Sequence, residues 1–211
     1  MRNPVSRSLA LRPAVSLLNT PLFAGLSFSH GTGRNGDYFD CGGFLMTFSG
    51  PAVYVGTYHK YNCGSIFGKW FDLTDFEEKT EFHDACRELH ASEEDPEFMF
   101  QDWEGIPSKF VSESSIDWYF IAAWKQAKEE GREDAFVAWA DYSGECDFDA
   151  FDDAYRGKAE TEEDYAYELV EDNGLLNDVP EPLRSYFDYE AYARDLFSSG
   201  YVLHDGFVFS N

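Results

Sequence analysis

Hydrophobic residues recur at two different spacings along this chain, and each spacing predicts one type of secondary structure. Alternating β-branched and aromatic residues predict three strands, at 52–58, 65–73 and 97–103. Between the last two strands, Thr74 followed by Glu77 has the form of a capping box, which predicts a helix continuing to about His90. Residues 51–108 are therefore expected to form a small α+β domain with an antiparallel sheet.

The middle of the chain changes to helical spacing. Apolar residues recur every three or four positions over 112–130, and Gly131 is a suitable stop for that helix. Shorter helical patterns follow at 133–142 and 147–155. We therefore expect a helical domain over residues 109–146.

The last segment combines helices with a hairpin signal. Helical patterns cover 160–172 and 189–198, and Asp205-Gly206 lies between two short runs of strand-forming residues at 201–203 and 207–209. Residues 147–211 are therefore expected to form an α+β C-terminal domain. The predicted fold class is α+β, arranged as an elongated chain of small domains: antiparallel sheet plus helix, helical cluster, and helices plus terminal β-hairpin.

Residues 1–50 differ from the rest of the chain. They hold four Arg and only two acidic residues, the first of which is Asp37. An Arg-rich, acid-poor start is typical of organelle transit peptides. The interpretation we favour is an extension of uncertain order that lies upstream of the true start at Met46.

Charge is the most unusual property of the sequence. The 211 residues have a formal net charge of -24, and residues 51–211 alone hold 12 basic and 38 acidic groups, a net of -26. Such a charge repels nucleic acid and anionic membranes, so neither is expected as a partner. Because self-repulsion also destabilises the compact state, we expect the acidity to serve a function.

The cysteines and the hydrophobic runs bear on location. Cys41, Cys63, Cys86 and Cys146 are widely scattered, without a CxxC pair or a secretory signal. No run reaches the roughly 18 apolar residues that would span a bilayer. These features predict a cytoplasmic protein with reduced thiols.

Common catalytic and cofactor motifs are missing from the sequence. It contains no HExxH, GxxxxGK[ST] or GxSxG, so we expect no catalytic residue, metal or cofactor, and no enzyme activity. His83 and His90 are expected on a solvated helix face. The acids between Asp147 and Asp153 lack the glycine and the closing glutamate of a calcium loop. A hydrolase using two carboxylates remains an alternative, because 40 acids produce suitable pairs by chance.

The acids fall at positions that a helix or loop would expose. In the helix predicted at 160–172, Tyr165 and Leu169 belong to one apolar stripe, which leaves six carboxylates over about 16 Å of helix. This spacing approaches that of duplex DNA, which has roughly one charge per 1.7 Å. The predicted phosphate-mimicking acids of the whole chain are Glu93, Glu94, Asp95, Glu97, Glu129, Glu130, Glu133, Asp134, Asp147, Asp149, Asp152, Asp153, Glu162, Glu163, Asp164, Glu168, Glu171 and Asp172.

Two separated motifs resemble those of a known family. One is the run from Val53 to Thr57 followed by Tyr61-Asn62, Gly68 and Trp70-Phe71-Asp72. The other extends from residue 180 to 196, and its defining residues are Pro180, Tyr186, Phe187, Asp188, Tyr189, Glu190, Ala191, Tyr192, Ala193, Arg194 and Asp195. Over about residues 51–211 the chain resembles the ArdA family of antirestriction proteins.

The resemblance implies a non-enzymatic inhibitor carried on mobile DNA. Family members look like bent B-form DNA, and a member is expected to occupy the DNA-binding groove of type I restriction-modification enzymes, at the methyltransferase core. The resemblance also implies a homodimer joined through the C-terminal domain. The alternative is an acidic interaction module that sequesters another DNA-binding protein, such as a nucleoid protein, repressor or nuclease, because electrostatic complementarity is permissive.

Overall fold

The computed structural model describes residues 48–210, so most of the predicted extension at 1–50 lies outside the described residues. The described chain has an α+β fold with eight α-helices and three small antiparallel sheets, which confirms the predicted fold class. None of the helices within residues 48–210 has both the length and the apolar character needed to cross a membrane.

The first sheet has the strand order β2-β1-β3. Its strands, in chain order, are β1 (Ala52–Thr57), β2 (Lys69–Asp72) and β3 (Phe98–Glu104). The short helix α1 (Tyr58–Asn62) lies between β1 and β2 in the sequence, and α2 (Lys79–Leu89) lies between β2 and β3. The central strand β1 is almost completely buried, because its neighbours cover both edges and Phe82 of α2 lies in the same core. The three predicted strands are confirmed, although β2 begins later than the pattern indicated.

The predicted capping box at the start of α2 is wrong. Thr74 belongs to a 3-10 turn, Leu73–Asp75, in which the Asp72 carboxylate accepts hydrogen bonds from the backbone N and Oγ1 of Thr74. The helix starts only at Lys79, and Glu78 makes no side-chain cap. Thr74 is thus hydrogen-bonded to Asp72 in a turn that follows the strand, and the helix begins five residues after Thr74.

The middle segment begins with a hairpin that the sequence pattern missed. Its elements are β4 (Val111–Ser112), β5 (Ser115–Ile116), α3 (Trp118–Glu129) and α4 (Glu133–Ser143). The helix predicted at 112–130 therefore starts later, after Asp117, whose carboxylate accepts from the backbone N of Tyr119 and caps α3. Gly144 ends α4 in the left-handed conformation, with φ of 78°.

The last segment contains a third sheet, of strand order β6-β8-β7. Its elements are α5 (Phe148–Ala154), β6 (Tyr155–Lys158), α6 (Glu162–Asp172), α7 (Glu181–Arg184), α8 (Tyr189–Ser198), β7 (Tyr201–His204) and β8 (Phe207–Ser210). Asp205 and Gly206 have φ of 47° and 83°, so the predicted hairpin is confirmed. Strand β6 was not predicted: Tyr155 had been assigned to a helix, but it pairs with Phe209.

The buried residues form one large aromatic cluster and a smaller group. The large cluster contains residues of all three predicted segments, from Val53 through Phe120 and Phe136 to Phe209. The smaller group includes Tyr165, Ala166, Val170 and Ala193 at the contact between α6 and α8. The large cluster contains residues from both sides of the domain boundaries proposed at residues 108 and 146. Those boundaries stay predictions.

Candidate functional site

The acidic residues of the described chain lie on its surface. Of the 38 Asp and Glu within residues 48–210, 32 are exposed, and the remaining six are Asp72, Glu93, Asp102, Glu104, Asp117 and Glu133. Only 12 Lys and Arg accompany them, eight of which are exposed. The net negative charge is therefore a surface property.

Helix α6 shows how a local sequence presents a face of carboxylates. Thr161 caps the helix by accepting a hydrogen bond from the backbone N of Asp164 at 3.1 Å, and acids in the first turn interact favourably with the helix dipole. Tyr165, Ala166 and Val170 are buried. The opposite face therefore presents its acids to solvent: Glu162, Glu163, Asp164, Glu168, Glu171 and Asp172.

The last turn of α6 carries an unfavourable arrangement of charge. Glu171 and Asp172 lie at the negative end of the helix dipole, and the turn contains no basic residue. Each such acid opposes the dipole by roughly 0.3–1 kcal/mol. Neither has an ion-pair partner within residues 48–210. Stability alone therefore does not account for these two acids.

The acids of the middle segment are partly neutralised. Lys128 forms an ion pair with Glu133, and Arg132 pairs with both Glu130 and Asp152, the latter at 2.7 Å. Burial acts to raise the pKa of Glu133, but the hydrogen bond and charge of Lys128 outweigh it and leave that pKa lowered. Glu130, Glu133 and Asp152 therefore present less free charge than predicted.

The first predicted acid group also divides into two kinds of residue. Glu94, Asp95 and Glu97 are exposed, whereas the side chain of Glu93 is only 14% exposed and pairs with Lys60 at 3.1 Å. Glu93 therefore presents less free charge than its three exposed neighbours, and its role as a phosphate-mimicking acid stays a prediction.

The acids around α5 are mainly exposed. Asp147 caps that helix by accepting from the backbone N of Ala150 at 2.9 Å, and Asp149 and Asp153 are exposed, with no ion pair to another described residue. Within residues 48–210, no group of three or more His, Cys, Asp and Glu side chains is placed to hold a metal ion. Sixteen of the eighteen predicted acids are thus exposed, and fourteen lack an ion-pair partner in the described chain.

The two histidines predicted on a solvated face differ from that prediction. His83 is half-buried, and His90 is completely buried. The seven-residue spacing placed them on one side of the helix, but His90 lies at its C-terminal cap, under Phe67, whose ring centroid is 5.8 Å away. The sequence pattern could not indicate that β1 and the loop between α1 and β2 would cover this end.

The motif at 180–195 forms α7, a connecting turn and most of α8. Asp188 caps α8 by accepting from the backbone N of Ala191 at 2.9 Å, and Ala193 is buried against α6. The rings of Phe187 and Tyr189 pack edge to face, with their centroids 4.8 Å apart. Other members of the motif remain accessible: Tyr186 is 82% exposed.

Exposed apolar side chains are concentrated near this motif. Residues 48–210 contain nine large exposed hydrophobic side chains, and four of them lie within twenty residues of sequence. We call these four the C-terminal apolar set: Tyr167, Leu175, Leu183 and Tyr186.

The fold and the site define a class of protein: an acidic α+β protein with carboxylates on its surface and no metal cluster in its described residues. A family model described as antirestriction protein (ArdA) matches residues 53–209. The chain therefore belongs to the ArdA family, a family of antirestriction proteins and not a known family of enzymes. A comparison with curated proteins finds no match.

Proposed function

We propose that this protein mimics B-form DNA and occupies the DNA-binding groove of type I restriction-modification enzymes. This occupancy blocks restriction, and modification by the same enzymes is a second activity that it can block. The observation that carries the proposal is the set of fourteen exposed predicted acids that have no ion-pair partner among residues 48–210. Its direct partner would be the methyltransferase core, and its site of action the cytoplasm. It would act without catalysis or a cofactor.

The physical basis is competition for the same basic side chains. A protein that binds duplex DNA gains much of its affinity when Lys and Arg replace the counterions condensed on phosphates. Exposed carboxylates on α6, at a charge spacing close to that of the duplex, offer those side chains an equivalent partner. Base edges are not required, because contacts to the phosphate backbone are independent of DNA sequence.

A homodimer would extend the acidic surface. Two copies of residues 51–211 carry a combined charge of -52. At roughly one charge per 1.7 Å, that equals the phosphate charge of about 26 base pairs. The exposed side chains of the C-terminal apolar set would be available to an interface between copies.

The decisive experiment measures displacement of DNA from a purified methyltransferase core as salt is raised. We expect competitive loss of DNA binding that weakens steeply with ionic strength. If DNA stays bound while the protein also binds, the groove is not its site. Displacement of DNA from a nucleoid protein, repressor or nuclease, but not from the type I enzyme, would favour the alternative partner.

Variants of α6 test whether the carboxylates act collectively. The neutralised variant combines Glu162→Gln, Glu163→Gln, Glu168→Gln, Glu171→Gln and Asp172→Asn, and we expect it to compete less well. The matched control changes the same four glutamates to Asp, which keeps the charge, and should compete nearly as well as the wild type. Glu168→Gln alone should be almost silent. A complete loss on that single change would indicate a discrete site instead.

A further inference from the structure

The acidic loop between α2 and β3 is fixed to the rest of the fold at both ends. The backbone N of Glu93 donates to the carbonyl oxygen of His90 at 2.9 Å, and the backbone N of Tyr58 donates to that of Glu97 at 3.0 Å. Glu94 and Asp95 lie between these points, exposed and without an ion pair within residues 48–210. The conformation of this short loop decides where their charges stand.

The carboxylate of Glu93 supplies a third attachment. It accepts a hydrogen bond from Thr57 Oγ1 at 2.9 Å and pairs with Lys60 Nζ at 3.1 Å. Thr57 is completely buried, at the end of β1. Burial acts to raise the pKa of Glu93, but the hydrogen bonds from Lys60 and Thr57 outweigh it, so the pKa is lowered and the carboxylate is charged at neutral pH.

Lys60 connects this carboxylate to a buried histidine. Its Nζ lies 2.8 Å from His90 Nδ1 and 4.7 Å from the ring centroid of Phe67. An ammonium group can only donate, so Nδ1 accepts, and the proton of a neutral ring must lie on Nε2. Nε2 then donates to the carbonyl oxygen of Val55 at 3.3 Å. The Lys60 ammonium is thus held by Glu93 of the loop, by His90 at the end of α2 and by the ring of Phe67.

We propose that Lys60 is a positioning residue, which holds Glu93 and thereby directs the carboxylates of Glu94, Asp95 and Glu97 toward the target enzyme. This inference rests on the proposed DNA mimicry, and it adds a cation, Lys60, to a mimic otherwise made of acids. Lys60 does not touch the target. It acts through the loop that carries the acids.

The sign of the effect separates positioning from net charge. Replacing Lys60 with Met makes the protein more negative by one charge, which by electrostatics alone would maintain or strengthen binding to a basic groove. Positioning requires the opposite result, because a loosened loop spreads its three acids over many conformations. Lys69→Met removes the same charge from an exposed lysine on β2 and is the matched control.

The test uses the full chain and two readouts, amide hydrogen exchange of residues 91–97 and displacement of DNA from a methyltransferase core. In Lys60→Met we expect exchange in this loop to be about tenfold faster, the change caused by losing one charged hydrogen bond. DNA displacement should weaken severalfold. Lys60→Arg should keep loop exchange and DNA displacement close to those of the wild type, because a guanidinium also donates to two acceptors. Lys69→Met should change neither readout.

A double-mutant cycle completes the test. Combining Glu94→Gln with Asp95→Asn should weaken displacement in the wild type and have little further effect in Lys60→Met. If Lys60→Met does not fold, Glu93→Gln, which keeps a neutral side chain in the same place, must accelerate loop exchange instead.

Unchanged exchange in both Lys60→Met and Glu93→Gln would overturn the proposal, as would equal effects of Lys60→Met and Lys69→Met. If the wild type displaces no DNA, the proposed function fails. The exchange data then still decide whether Lys60 holds the loop.

Discussion

The guanidinium of Arg132 lies 2.7 Å from the carboxylate of Asp152 and joins the start of α4 to α5. The same guanidinium pairs with Glu130 and lies over the ring of Phe151, with its central carbon 5.3 Å from the ring centroid. Burial acts to lower the pKa of Arg132, but the hydrogen bonds that it donates to Asp152 and Glu130, with their negative charges, outweigh burial and raise the pKa. Arg132 is therefore a junction between two helices as well as a surface cation.

Replacing Arg132 with Met should destabilise the protein by roughly 1–3 kcal/mol, since two charged hydrogen bonds and the cation–π contact are lost. Urea denaturation of both variants measures the effect. The control is Arg194→Met, because Arg194 is 70% exposed and its carboxylate partner, Asp195, lies 3.7 Å away. Equal destabilisation by the two changes would show that net charge, and not this junction, decides stability.

Asp172→Lys should stabilise the protein and weaken inhibition together. A cation at the end of α6 interacts favourably with the helix dipole, by roughly 0.3–1 kcal/mol, while one acid of the proposed mimic is lost. Glu162→Lys makes the same charge change at the opposite end of that helix and should not stabilise it to the same extent. Urea denaturation and DNA competition provide the two measurements. Equal stabilisation at both ends would indicate that relief of self-repulsion is the dominant effect.

His90 should make stability depend on pH near neutrality. Its pKa is lowered from 6.5, mainly by burial and then by the charge of Lys60, against the smaller opposing effects of Val55 and Glu93. Because the unfolded state binds the proton more readily, stability is fully present above pH 6.5 and falls as the pH drops toward the lowered folded pKa.

His90→Gln should reduce this pH dependence, because the amide can accept from Lys60 and donate to Val55 without titrating. Denaturation between about pH 5.5 and 7.5 avoids most carboxylate titration. His83→Gln measures the second contribution, because His83 is half-buried and its pKa is also lowered, by burial and by the charges of Lys79 and Arg87; the larger reduction should come from His90→Gln. If the pH dependence persists in His90→Gln, the buried imidazole is not its source.

Tyr186→Ser combined with Leu183→Ser should dissociate the proposed homodimer. Both side chains belong to the C-terminal apolar set, and Tyr186 is 82% exposed in a single copy. Sedimentation at several protein concentrations measures the association. Tyr119→Ser is the matched control, because Tyr119 is equally exposed but lies at the start of α3. A wild type that sediments as a monomer at every concentration would contradict the dimer.

Periodicity predicted the longer elements well and the short ones poorly. Helix α8 was predicted with its observed bounds, since its capping Asp188 and its apolar positions are all local signals. Strand β6 was missed because its four residues are stabilised by pairing with β8, about fifty residues later in the sequence. Strands β4 and β5 were missed because each has only two residues, of which Val111 and Ile116 are buried in the large core.

The sequence by itself determined the fold class, the family and the large acidic surplus, because these follow from local spacing, motifs and composition. Only the tertiary structure decided which acids remain free. Among the residues that the structure describes, Glu93, Glu130, Glu133 and Asp152 form ion pairs with cations on other turns or elements, whereas the acids of α6 form none. The physical reason is that ion pairing and burial depend on distances in space, which residues far apart in the chain acquire only when the core assembles.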